Sequence, residues 1–233
     1  MWQFSRFFLP LRDKSLSDMA KGNIWNDEFW LPLMQLYLQR PVGRKPTYSR
    51  SMVALSLELH VAPAILAAKM DQIATLSTPR LERIWNTYSA NPRRLHRAVR
   101  LWREMRGFGF EETFYDGVGI TESFERDFRP FDEEPRLTPV SLILILDLYF
   151  RLTPITMVAQ TPEVVEMARL LKVETALVVE VLQLFQLCDP YLSRNAISPS
   201  PLYLPCQEVW QRFGNGEPEK LAAFAEELKA YYR

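Results

Sequence analysis

The sequence predicts an all-α protein made of two homologous multi-helix repeats. Three observations point there. Glycine is scarce, at 8 of 233 residues, while proline is frequent, at 17. Those prolines recur just behind Asn, Thr, Asp or Glu, the pattern of a capped helix start with Pro in its first turn. Between them, apolar residues return at three- and four-residue spacing. With 48% hydrophobic and 24% charged residues, the chain has ample material for a packed core and is not disordered.

The elements follow in order. Residues 1–24 form an N-terminal arm, apolar at Trp2, Phe4, Phe7, Phe8 and Leu9, then polar. Asn26-Asp27 opens a helix to about residue 40 with Phe29, Trp30, Leu33, Leu36 and Tyr37 on one stripe. The run from Pro41 to Pro46 breaks it. Ser49 caps a helix to Leu59, and Ala62-Pro63 starts another to about Leu76. Thr78-Pro79 opens a helix to Tyr88, and Asn91-Pro92 a long one to about Arg106. Residues 109–137 read as an acidic, aromatic linker that holds Phe110, Phe114, Tyr115, Phe124, Phe128 and Phe131, with a short hairpin expected near Asp116-Gly117. Helices resume at Thr138-Pro139 (to Leu152), Thr161-Pro162 (to Leu171) and Glu174 (to Leu187). A turn at Asp189-Pro190 and a loop at Ser198-Pro199-Ser200-Pro201 precede a helix from Pro205 to Phe213 and a last one from Glu217-Pro218.

That order occurs twice. A shift of 112 residues lays 33–73 on 145–185 without a gap: Leu36-Tyr37 falls on Leu148-Tyr149, Val53 on Val165, Leu59 on Leu171, Val61 on Val173 and Ala64 on Ala176. With small insertions, Trp85 and Tyr88 then match Trp210 and Phe213, and Pro92 and Leu95 match Pro218 and Leu221. The expected organisation is a first repeat at 25–108 and a second at 138–233, joined by the linker, each covering an apolar face of the other.

Within each repeat a small residue is followed by apolar residues three, five and ten positions on. These are Ser56, Leu59, Val61 and Leu66 in the first, and Ala168, Leu171, Val173 and Val178 in the second. The small residue lets two helices approach, and the others fill the wedge between them. The pattern resembles the helix-turn-helix motif of DNA-binding proteins. His60 and Lys172 stand where that motif usually has Gly, so each must take a left-handed turn at some cost. The resemblance implies a reading helix from about residue 62 or 174. The residues there are Ala62, Pro63, Ala64, Ala67 and Ala68 in one case, and Glu174, Thr175, Ala176, Val179 and Glu180 in the other. Neither set suits base edges, so packing is the expected role of both.

Charge is distributed unevenly. Residues 1–110 carry 17 Lys and Arg against 8 Asp and Glu, a net of +9, whereas residues 111–233 carry 11 against 20, a net of −9, and the total is zero. The basic half is densest on the helix from Pro92, where Arg93, Arg94, Arg97, Arg100 and Arg103 accompany His96 and Arg106. Helical spacing puts Arg93, Arg97, Arg100 and, less closely, Arg103 on one side, and expects Leu95, Val99, Trp102 and Met105–Arg106 on the core-facing stripe. Arg44, Lys45 and Arg50 belong to the same half. Arginine is permanently charged and suited to bidentate contact with phosphate. These eight residues (Arg93, Arg94, Arg97, Arg100, Arg103, Arg44, Lys45, Arg50) are the candidate anion or nucleic-acid contacts. The competing expectation is that the acidic linker, from Glu111-Glu112 to Asp132-Glu133-Glu134, folds back over them.

Catalytic patterns are missing. No GxxxxGK[ST] or strand-borne GxGxxG occurs. No HExxH or CxxC is present, the histidines are His60 and His96, and the cysteines Cys188 and Cys206. Neither a metal nor a cofactor is expected, and no enzyme. The N-terminus lacks a charged stretch followed by a long apolar one, and the most apolar run, 142–150, is too short to span a bilayer, so a cytoplasmic protein is expected. The leading functional expectation is a non-enzymatic binding or regulatory protein whose basic first repeat contacts nucleic acid. The alternative is a protein–protein adaptor or self-associating scaffold, with an acidic protein or further copies of the chain in a homo-oligomer as partner and no nucleic-acid binding.

Overall fold

The computed structural model describes the backbone of residues 25–109, 123–192 and 200–233, and the side chains of these except 106–109 and 123. The N-terminal arm and the hairpin expected near Asp116-Gly117 lie outside the described residues. Among those described, regular structure is helical throughout, with no strand. The helices are α1 (Trp30–Leu38), α2 (Arg50–Leu59), α3 (Pro63–Thr75), α4 (Pro79–Tyr88), α5 (Pro92–Gly109), α6 (Ser123–Asp127), α7 (Pro139–Arg151), α8 (Pro162–Leu171), α9 (Thr175–Cys188), α10 (Tyr203–Val209) and α11 (Pro218–Leu228).

The cap residues act largely as their chemistry requires. Thr78 Oγ1 accepts from the Leu81 amide at 3.2 Å, and Asn91 Oδ1 from the Arg94 amide at 3.1 Å. Thr138 and Ser141 close a reciprocal box at the start of α7, over distances of 3.3 and 2.8 Å. Each satisfies an amide that the first helical turn leaves without a partner. Asn26 bonds the Glu28 amide at 3.0 Å, but what it starts is a 3-10 turn, Asp27–Phe29, that leads into α1. The expected start at Pro205 falls two residues late, because α10 begins at Tyr203. Proline is tolerated anywhere in a first turn, where its missing N–H costs nothing. After Val209 the chain widens into a π turn, Trp210–Gly214. A β-carbon on Gly214 would lie 2.6 Å from the Trp210 indole, so the turn requires glycine there.

Two turns share one geometry. His60 (φ 56°) and Lys172 (φ 60°) are both left-handed. The amide after each reaches back to the small residue, Val61 N to Ser56 O at 3.1 Å and Val173 N to Ala168 O at 3.0 Å. This is the double closure of a left-handed helix end, achieved without glycine. Between α2 and α3 the axis turns through 103°, as in helix-turn-helix units.

Two cores result. In the first, α1 packs on α2, α3 and α5, burying Leu33, Met52, Leu66, Met70 and Leu95. In the second, α7 packs on α8, α9, α10 and α11. Helix α7 is buried on almost every side, from Leu142 to Leu148. That explains its continuous apolar run: it is a central helix and needs no polar face. Among the described residues no single helix is long and apolar enough to cross a membrane.

The described end of the linker docks on the second core. Phe128 and Leu137 are buried there. Asp127 receives a bidentate pair from Arg212 at 2.6 and 2.7 Å, and Glu208 is paired with Arg126. The first unit adds Val53, 1% exposed, to this same core, while Tyr48 stacks on Phe128 and meets Phe224 edge-on. His60 Nδ1 lies 2.9 Å from Glu125 Oε1, and the Arg50 guanidinium sits 5.9 Å from the Tyr231 ring centroid. The two cores are thus joined by α2 and the loop before it.

Candidate functional site

Helix α5 runs antiparallel to α1. Gln35 meets His96, with 3.0 Å between Nε2 and Nδ1, near the N-terminal end of α5, and the Trp102 indole donates to Glu28 at 3.1 Å two turns further on. Leu95, Val99 and Trp102 are buried as their spacing predicts. Met105 is not: it is 66% exposed, a correction to its expected place on the core stripe. The reason is length. Helix α5 passes the start of α1 just after Trp102, so nothing in α1 lies beneath Met105. Leu101, four residues earlier, is 55% exposed.

The eight basic candidates divide by environment. Arg93 and Arg97 are exposed and have no carboxylate within ion-pair distance among the described residues. Arg94 lies over the Tyr88 ring, 5.6 Å from its centroid. Arg100 makes one loose pair along its own helix, 3.5 Å to Glu104, with both side chains well exposed. Arg103 differs from these. Its guanidinium grips Glu58 of α2 at 2.6 and 2.9 Å, and that hydrogen bond raises its already high pKa.

The other three are spread over the first unit. Arg44 pairs with Asp71 at 3.2 Å. Arg50 faces Tyr231 of the second unit. Lys45 is 8% exposed, and its ammonium donates to the backbone carbonyls of Gln39, at 2.6 Å, and Pro41. Carbonyls past the end of α1 need donors, and Lys45 supplies them. Burial lowers its pKa. Its ammonium therefore serves the chain's own backbone, and sequence spacing has no signal for that.

What remains is a row on the outer face of α5. Arg93, Arg97 and Arg100, with Pro92 and His96, line an open depression of about 400 Å³. No acidic residue occupies the first turn of α5, where Arg93 and Arg94 stand instead. Cations there oppose the positive end of the helix dipole, an arrangement that costs stability unless an anion relieves it. Leu101, which sequence periodicity did not single out, and Met105, which it placed on the core stripe, flank this row. Of the acidic linker, residues 124–137 pair with His60, Glu208, Arg212 and neighbours of their own, not with α5. Glu111 and Glu112 lie outside the described residues.

Nothing in the described residues groups three or more His, Cys, Asp or Glu as a metal would need. Cys206 is buried and Cys188 half-buried, and burial pushes both thiols up, Cys188 to about 11, away from the reactive thiolate. Comparison with family models, curated proteins and solved structures finds no match to this chain.

Proposed function

We propose that this is a non-enzymatic binding or regulatory protein, built from a duplicated helical unit, whose first copy holds nucleic acid along the outer face of α5. The observation that carries the reading is the pair Arg93 and Arg97, exposed and without a carboxylate among the described residues. Close arginines repel each other, and these stand at the positive end of their helix. A phosphodiester backbone relieves both costs. Binding of this kind is strongly salt-dependent and indifferent to base sequence. The alanines at the start of α3 (Ala62, Ala64, Ala67 and Ala68) fit that indifference.

Duplication is supported by register and packing together. Shifted by 112 residues, the span Arg50–Leu59 of α2 falls on Pro162–Leu171 of α8, end for end. The left-handed residues His60 and Lys172 coincide under the same shift. In each unit the first helix packs on both helices of the helix-turn-helix-like pair and on the closing helix. The second unit lacks the cationic row, so nucleic-acid contact is assigned to the first alone.

The test is a salt titration with a labelled generic duplex of about 20 base pairs. Three arginine–phosphate contacts predict a log–log slope of about −2.7, and each Arg→Ala change on the row should lower its magnitude by about 0.9. Loss of affinity in Arg93→Ala/Arg97→Ala, with no dependence on duplex sequence, supports the reading. Absence of binding at low salt, or affinity unchanged in that variant, overturns it.

A further inference from the structure

The apolar residues beside the arginine row call for a surface that a phosphate backbone does not offer. Leu101 and Met105 are exposed one turn apart on the flank of the cationic face. A partner that covers both must carry carboxylates and an apolar or small-residue strip on one rigid element.

Such an element exists in the same chain. Helix α11 closes the second unit as α5 closes the first. Its core stripe is Leu221, Ala225 and Leu228, and the opposite face bears Glu219, Ala223 and Glu226, all exposed. Arg93 and Arg100 are seven residues apart, as are Glu219 and Glu226. At 1.5 Å rise per residue both pairs are separated by about 10.5 Å, so both bridges form at once between two packed helices. Ala223, midway, leaves room for a close approach beneath Arg97 and Leu101. Glu219 has no ion pair among the described residues. Glu226 already holds Lys229 at 2.6 Å and Arg233 at 3.1 Å, and Arg100 exchanges its loose Glu104 contact for this cluster.

We infer that the outer face of α5 docks onto the outer face of α11 of a second copy of this chain, a head-to-tail contact. The two faces are different, so the contact is heterologous: each added copy brings a further free face until the rotation between copies closes a ring. The inference does not rest on nucleic-acid binding. It does imply that a second copy and a polyanion compete for Arg93 and Arg100, so that self-association withdraws the row from other ligands.

The experiment uses the full chain and two charge reversals on exposed residues, with helical content checked by circular dichroism. One variant is Arg93→Glu/Arg100→Glu and the other Glu219→Arg/Glu226→Arg. Sedimentation velocity of the wild type should show mass rising with concentration at low salt and returning to monomer at high salt. Each variant alone should be monomeric. Mixed, they should associate again and grow with concentration, because the two unaltered faces meet and the two reversed faces also carry opposite charges at the same spacing. Glu219→Arg alone, which spares the Lys229 and Arg233 pairs, should weaken association at least tenfold. A wild type that is monomeric at every concentration and salt, or variants that associate as the wild type does, overturns the contact. Duplex binding by the α11 variant is a separate readout. If it is retained while association is lost, the two readings are distinguished.

Discussion

Arg103 and Glu58 form a two-toothed ion pair between α5 and α2, with Nε to Oε1 at 2.6 Å and Nη2 to Oε2 at 2.9 Å. This pair takes Arg103 out of the cationic row and gives it to the fold. Half of the Arg103 side chain is still exposed, so the pair is weak by the standards of buried ones. Arg103→Ala should therefore lower unfolding stability by about 0.2–1 kcal/mol. A double-mutant cycle with Glu58→Ala in urea should recover that as coupling. Duplex affinity should fall far less than in Arg93→Ala; an equal loss would return Arg103 to the binding row.

The π turn makes a second prediction. With a β-carbon 2.6 Å from the Trp210 indole, Gly214→Ala must displace a buried ring that also contacts Tyr149 and Phe185. Overpacking of this kind costs about 1–3 kcal/mol. A shift of the urea midpoint with an unchanged m-value is the expected result.

Lys172 offers the opposite sign. Its left-handed φ of 60° is a conformation that costs an L-residue about 1–2 kcal/mol and glycine nothing. Glycine returns part of that through greater freedom in the unfolded chain. Lys172→Gly should stabilise by about 0.5–1 kcal/mol, measured by urea unfolding. A loss of stability would mean that the lysine stem supports the turn.

Stability should fall in mild alkali. Burial holds the thiols of Cys188 and Cys206 and the phenols of Tyr48, Tyr149 and Tyr232 above their ordinary values. Acids whose folded pKa is raised are kept protonated by the fold and ionise first in the unfolded chain. Their contribution is complete below the unfolded pKa and is lost as pH rises through the folded one. For Cys188 that window runs from 9.0 to about 11. Lys45 opposes the trend, since a lowered lysine pKa favours the folded state as pH rises towards 10.5. Thiols and phenols together outnumber it, so the urea midpoint should drop between pH 8 and pH 11, and Cys206→Ala should flatten the drop.

Sequence periodicity located the helices because capping is a local affair: Thr78, Asn91 and Thr138 each satisfy amides within three residues. It placed His60 and Lys172 at left-handed turns for a similar reason, since two helices wedged on Ser56 or Ala168 leave the connecting residue one conformation. It misplaced Met105, because a helical stripe records direction and not where the neighbouring helix ends. It grouped Lys45 with the arginines, because a charge count cannot tell an ammonium in water from one that holds two backbone carbonyls.

The amino-acid sequence by itself determined the helical class, most helix starts and the density of arginine on α5. Each of these depends on contacts within one turn of chain. The tertiary structure decided which arginines are spoken for. Glu58 is 45 residues from Arg103, and Asp127 is 85 residues from Arg212. Coulomb attraction follows distance in space, and only the folded packing of α2 and α5 on α1, and of the linker against the second core, sets those distances.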